Sequence, residues 1–272
     1  MDESEKVTFN VSPMPFLHLP LATELQLADD WPEHTSQGLA IDKLRDTGWA
    51  ESGRLLHRAE ADISYLVTGT FCPVDDDLGW QQHRQILTDA VHWAGDHSVP
   101  IIYFTPGPSG RLTPDQAVDA FARQVAPLVE LAERNAVTLA VENTVWVRSD
   151  LGFTHSVRET AALAASAGLA LCVDLFCAWQ EQHLADTLTQ HRDRIVIVQY
   201  SDYQLGTHYQ PARRVPGDGD IPLPWLVDLV PQIGYTGLID LELIGPAIED
   251  EGPEAAVSRG LAWLAAQRWH GS

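Results

Sequence analysis

Four oxygen-bearing side chains, Glu142, Asp174, Gln199 and Glu242, each close a short apolar run, in segments 137–142, 169–174, 195–199 and 238–242. An unpartnered carboxylate in a low-dielectric setting is costly and tends to take up a proton. A buried strand therefore seldom finishes on one by accident, and four such endings in succession point to a shared site. Three carboxylates and an amide oxygen are hard ligands suited to one divalent ion, Mn²⁺ first, with Mg²⁺, Co²⁺ or Zn²⁺ as alternatives. A 2-hydroxy ketone or aldehyde chelated there through its carbonyl and hydroxyl would have an acidified carbon-bound proton and an accessible enediolate. Glu142 and Glu242 are the expected acid and base, one removing the proton and the other returning it at the neighbouring carbon or on the opposite face.

Residues so far apart in the chain meet only if parallel strands carry them to one rim. The segment 101–105, Ile-Ile-Tyr-Phe-Thr, reads as a strand, followed by a loop that ends in Thr113 as a helix cap with Pro114 at the first helical position. Beyond it Ala117, Phe121, Val125, Leu128 and Ala132 recur at helical spacing. The four runs named above each precede a helical stretch, near 156–167, 181–191, 223–233 and 253–268. Five strand-to-helix units call for parallel strands covered by helices. In the N-terminal part, 7–11 reads as a first strand, 36–47 as a helix, and 63–67 as a strand before a helix near 80–97. A second strand is expected near 48–56, although no periodicity marks it. The resulting α/β architecture is a (β/α)8 TIM barrel forming one domain over residues 1–272, with 1–6 as an acidic, flexible N-terminus. An open doubly wound sheet is the alternative, but residues 107–110 lack the spacing of a dinucleotide-binding loop.

Composition narrows the partners. A chain of 272 residues can bury one large core and lies in the size range of such barrels. With 17 basic against 38 acidic residues, its formal charge of -21 repels nucleic acid and anionic membrane surfaces. No stretch approaches the ~20 apolar residues that cross a bilayer. The acidic start lacks the basic head and apolar run of a secretory signal. Cys72, Cys172 and Cys177 form no CxxC pair, which argues against a disulfide framework or a zinc knuckle. The expectation is a cytoplasmic protein with a small-molecule substrate, its assembly into a homodimer or homotetramer left open.

The segments Ala-Val-Glu-Asn at 140–143, Val-Asp at 173–174, Ile-Val-Gln-Tyr-Ser-Asp at 197–202, Arg-Val-Pro-Gly-Asp-Gly-Asp-Ile at 214–221 and Gly-Tyr-Thr-Gly-Leu-Ile-Asp-Leu-Glu at 234–242 carry a family resemblance. The chain resembles the xylose isomerase-like TIM barrels of the sugar phosphate isomerase/epimerase family, most clearly from residue 63 onward. The resemblance implies a metal-dependent isomerase or epimerase of carbohydrate metabolism, acting on a sugar, inosose or hydroxy-keto acid. It gives Glu142, Asp174, Gln199 and Glu242 the ligand roles and makes Arg214 a substrate contact. Gln199 stands where histidine is usual, and the resemblance to hydroxypyruvate isomerase-like members, which use glutamine there, keeps it as a ligand. Cys177 stands three residues after Asp174 where many members have histidine, and Arg148 replaces a glutamate common in sugar epimerases. A thiol does not supply an imidazole's hydrogen bonding, so a standard ketose 3-epimerase is disfavoured. Arg148 could instead pair with an anionic group of the ligand. The related endonuclease type needs further histidines that are missing here.

Other residues carry both a functional and a plain reading. His155, at a loop-to-helix junction, could touch substrate or simply cap. His208 could donate a proton or lie in solvent. Asp202 could orient Arg214 or cap its own turn. Tyr103, Trp146, Phe176 and Trp179 are placed to line a pocket, or to pack helices on the barrel. The same metal shell would also serve a dehydratase (a lyase) if the substrate bears a β leaving group. A non-catalytic sugar- or metal-binding barrel, or an accessory subunit, is the reading from a different class.

Overall fold

The computed structural model describes residues 7–269; the expected acidic segment 1–6 lies outside them. Eight strands form a closed barrel in chain order: β1 (Thr8–Val11), β2 (Thr35–Ala40), β3 (Ile63–Thr68), β4 (Ile101–Phe104), β5 (Thr138–Glu142), β6 (Ala170–Asp174), β7 (Ile195–Tyr200) and β8 (Leu238–Leu241). Every neighbouring pair is parallel, and β8 closes on β1 with Asn10 opposite Asp240. The open-sheet alternative is thereby removed.

The helix anticipated at 36–47 and the second strand anticipated near 48–56 are both displaced. Residues Thr35–Ala40 form β2, Ile41–Thr47 is helical, and Trp49–Ala59 is a second helix. Thr-Ser-Gln-Gly-Leu-Ala lacks the apolar signature of a buried strand because what it packs against is polar or unusually close. Ser36 Oγ donates to Asn10 Oδ1 at 2.9 Å. A Cβ on Gly38 would lie 2.1 Å from the Tyr65 ring, so the strand needs glycine there to let the tyrosine in. The helix after β4 follows its expected cap: Thr113 and Gln116 form a reciprocal capping box before Pro114–Arg134.

Alternation along the strands sorts the side chains into two cores. Leu66, Ile102, Phe104, Val141, Leu171, Val173 and Ile239 face outward into the helix layer. Tyr65, Val67, Ile101, Tyr103, Ala140, Cys172 and Ile197 fill the barrel interior. Stepping two residues on from Ala140, Cys172 and Ile197 reaches Glu142, Asp174 and Gln199. The candidate ligands are thus the top layer of the inward columns, at the C-terminal rim.

A buried polar network supports that layer from below. Asp240 accepts from Asn10 Nδ2, from Tyr65 Oη at 3.0 Å and from Gln199 Nε2 at 3.0 Å. Beside the rim, the backbone N–H of Thr70 donates to Thr105 Oγ1, and the Thr70 hydroxyl pairs with His83 Nε2 at 2.9 Å. His83 itself is wedged against Trp80 and Phe104. No helix among the described residues is long and apolar enough to cross a membrane.

Two stability predictions follow from these buried groups. Asp240→Ala strands three donors in the barrel interior, and a urea titration should show a loss of at least ~3 kcal/mol, with Asp240→Asn losing less. Burial holds the His83 imidazole down to about 4, below its unfolded value. Its contribution is therefore complete above about pH 6.5 and is lost as the pH falls toward 4. Between pH 7 and 4 the natural protein should lose up to ~3 kcal/mol more than His83→Gln; parallel pH profiles would disprove this.

Candidate functional site

Glu142 ends β5, Asp174 ends β6, and Glu242 follows β8 directly. All three are buried, and one carboxylate oxygen from each lies within 4.8 Å of the others. Gln199, on β7 between Asp174 and Asp240 in register, is fully buried. Its amide orientation is set by its two donated hydrogen bonds, one to Asp240 and one to Tyr103 Oη at 3.2 Å. Its Oε1 has no hydrogen-bond partner.

Like charges brought this close raise each other's proton affinity. Burial, then Glu242 and Asp174, push the Glu142 carboxyl well up. Burial also pushes Glu242 up, against the opposing pull of Arg213. Arg213 is the one cation in the cluster. Its Nη2 and Nη1 reach Asp174 Oδ2 and Oδ1 at 2.7 and 3.1 Å, and Nη2 lies 2.9 Å from Glu242 Oε2. Nη1 also donates to Ser201 Oγ, and the guanidinium carbon sits 4.5 Å above the Phe176 ring centroid. Burial alone would lower the Arg213 pKa, but Asp174 and Glu242 overcome it and keep the group charged. With all three carboxylates ionised, as a bound cation would require, the one guanidinium leaves two negative charges. That charge, the hard-oxygen donor set and the uncommitted Gln199 Oε1 fit a divalent cation.

Arg213, and not Arg214, turns to the cluster. Arg214 is held in an antiparallel bridge with Asp202, and successive residues of an extended segment point to opposite sides. An Arg-Arg pair carries no sequence signal for which member faces inward. Asp202 takes its plainer role: its carboxylate accepts from the backbone N–H groups of Tyr203, Gly217, Gly219 and Ile221. It thereby clamps the loop that delivers Arg213. A Cβ on Gly219 would stand 2.4 Å from Asp202 Oδ1, so this turn needs glycine.

Asn143, quoted above only as part of a motif, has a definite task. Its amide exchanges two 2.9 Å hydrogen bonds with the backbone N–H and C=O of Asp174. It extends the β5–β6 ladder past the strand ends and fixes the Asp174 backbone. Cys177 donates to Asp174 Oδ2 at 2.7 Å, and burial followed by Asp174 keeps the thiol protonated.

The remaining sequence candidates scatter. Arg148 lines the cavity but is held by Asp150 through two 2.9 Å hydrogen bonds. Phe176 lines it too, and Tyr103 lies below, in the barrel interior. His155 pairs through Nδ1 with the Thr144 carbonyl oxygen, and its backbone N–H donates to Glu159, the arrangement of a turn. His208 and Trp146 are exposed, and Trp179 packs at the edge of the outer core. His155, His208, Arg214, Trp146 and Trp179 do not line the cavity. That cavity occupies the barrel mouth, measures about 870 Å³, and has Glu142, Asp174, Arg213 and Glu242 in its wall.

The fold is shared with solved structures at low sequence identity. A protein from Sinorhizobium meliloti 1021 superposes with a TM-score of 0.81 at 17% identity, covering 96% of this chain and 97% of its own. D-psicose 3-epimerase from Clostridium cellulolyticum H10, solved with D-tagatose, gives 0.76 at 13%, covering 95% and 97%. The IolI protein, solved with a bound zinc atom, gives 0.77 at 16%, covering 95% and 97%. No curated protein matches the chain in sequence. The sequence profile described as xylose isomerase-like TIM barrel matches residues 26–267. With that match spanning nearly all of the closed barrel that builds the carboxylate rim, the chain belongs to the xylose isomerase-like TIM barrel family.

Proposed function

We propose that this chain is a divalent-metal-dependent isomerase or epimerase of a small hydroxy-carbonyl compound. The observation that carries the reading is the buried convergence of Glu142, Asp174 and Glu242 at the wall of a cavity; on the neighbouring strand Gln199, in register with Asp174, keeps a buried Oε1 without a hydrogen-bond partner. Similar folds in a ketose epimerase and in a zinc-binding protein support it. The four oxygen ligands would hold the ion, which supplies polarisation of the substrate's carbonyl and adjacent hydroxyl.

The chain's own groups then divide the proton work. One of Glu142 and Glu242 takes the proton from the carbon next to the carbonyl; the C–H electron pair becomes a C=C bond as the C=O π pair moves onto the carbonyl oxygen. The other returns a proton, at the neighbouring carbon for an isomerase or on the opposite face for an epimerase. Arg213 holds Asp174 and keeps a positive charge beside Glu242, so negative charge developing on substrate oxygen meets a fixed cation. Asp240 and Tyr103 fix the Gln199 amide with its acceptor oxygen uncommitted.

Glu142→Gln and Glu242→Gln should each lower turnover by at least ~10², read as loss of carbon-bound deuterium label from candidate substrates. Retained turnover in both would remove them from the chemistry. Calorimetry with Mn²⁺ should show one site per chain, weakened at least ~10-fold by Gln199→Leu and further by Asp174→Asn. Equal affinity in all three proteins would refute the ligand assignment.

A further inference from the structure

The cavity above the carboxylate cluster is chemically divided. Met14, Leu17, Phe71, Leu151, Phe176 and Ile244 make much of its wall apolar. The two cations nearer its lip are already engaged: Lys43 Nζ by Glu24 and the Phe16 carbonyl oxygen, and Arg148 by Asp150. Asp42 and Asp46 on the same lip disfavour an anionic tail. Polar side chains such as Thr68, Thr105, Thr144 and Gln210 also line the cavity, but hydroxyls of a long polyol set against Leu17, Phe71 and Leu151 would lack partners, which is costly.

The apolar wall continues outward. Every large apolar side chain that is well exposed among the described residues follows the C-terminal end of an odd-numbered strand: Leu17 after β1, Phe71 and Leu78 after β3, Trp146 and Val147 after β5, and Leu205, Tyr209 and Trp225 after β7. Of these, Leu17 and Phe71 also line the cavity, so its apolar wall reaches the exposed rim at β1 and β3. Phe71 is 65% exposed, yet its ring lies over Gly69 together with Leu151; a Cβ there would sit 2.8 Å from the ring and 3.5 Å from Leu151 Cδ2.

From this division we infer that the substrate is an amphiphile, an enolisable hydroxy-carbonyl head at the carboxylates joined to an uncharged apolar body that lies against Phe71 and Leu151. This names a substrate class for the site of the proposed isomerase and rests on that reading.

The test uses three ketones sharing one head: 1-hydroxy-4-phenylbutan-2-one, 1-hydroxybutan-2-one and the polyol erythrulose. Deuterium uptake at carbon is followed by mass spectrometry with the Mn²⁺-loaded protein. The phenyl compound should show a kcat/KM at least ~10-fold above both others. Phe71→Asp and Leu151→Asp should each shrink the phenyl-to-short-chain ratio at least ~5-fold; because the ratio is taken within one protein, loss of folded material cancels. Preference for erythrulose, or a ratio unmoved by both variants, overturns the inference. A second arm measures binding of 4-phenylbutane-1,2-diol, which cannot enolise, by saturation-transfer NMR on the Mg²⁺-loaded protein. If the diol binds and Phe71→Asp abolishes binding while no ketone exchanges, the isomerase reading fails and the apolar subsite stands. If the ketones exchange without phenyl preference and the diol does not bind, the reverse holds. Absence of both exchange and binding removes both. Sedimentation decides the last alternative: should Phe71→Asp split an oligomer and leave the phenyl ratio unchanged, the rim is a subunit interface and the inference falls.

Discussion

Three carboxylates share one buried rim, and an arrangement of that kind does not persist unaided. Much of the surrounding structure answers to this repulsion. Arg213 is drawn between Asp174 and Glu242 and backed by Phe176 and Ser201. Asn143 and the Cys177 thiol bind Asp174 from its other sides. Even so, Arg213 offsets only one of the three carboxylates, and Gln199 Oε1 stays without a hydrogen-bond partner, so a bound cation would relieve the remaining repulsion.

The barrel makes that concentration of charge possible by separating its two cores. Outward positions carry the hydrocarbon that binds helices to strands and supplies most of the apolar burial. Inward positions are thereby released for tyrosines, small residues and a satisfied polar network centred on Asp240. That network is rigid because its central carboxylate serves several donors at once. It passes its order upward to Gln199, whose amide can turn only at the cost of two hydrogen bonds.

The positions where this chain departs from its family's usual residues are each absorbed by a local partner. Cys177 spends its proton on Asp174, Gln199 is oriented from below, and Arg148 folds onto Asp150. None of these contacts disturbs the carboxylate cluster. Above them, Leu17, Phe71 and Leu151 bring hydrocarbon to the cavity wall.

The C-terminal half was legible from the chain because its strands are apolar runs of about five residues ending in a carboxylate or amide, and its helices show 3.6-residue spacing with explicit caps. The four ligand candidates followed from each closing an apolar run and from the rule that parallel strands deliver their ends to one face. The second strand was not legible, since Ser36 and Gly38 are set by contact with Asn10 and Tyr65, residues distant in sequence. The choice between Arg213 and Arg214, the clamping role of Asp202 and the orientation of Gln199 were decided only in three dimensions. Each depends on a partner more than ten residues away, whose identity leaves no mark on local composition or periodicity. Local pattern reports what a residue is and which face it takes; the acceptor it meets is a property of the closed barrel.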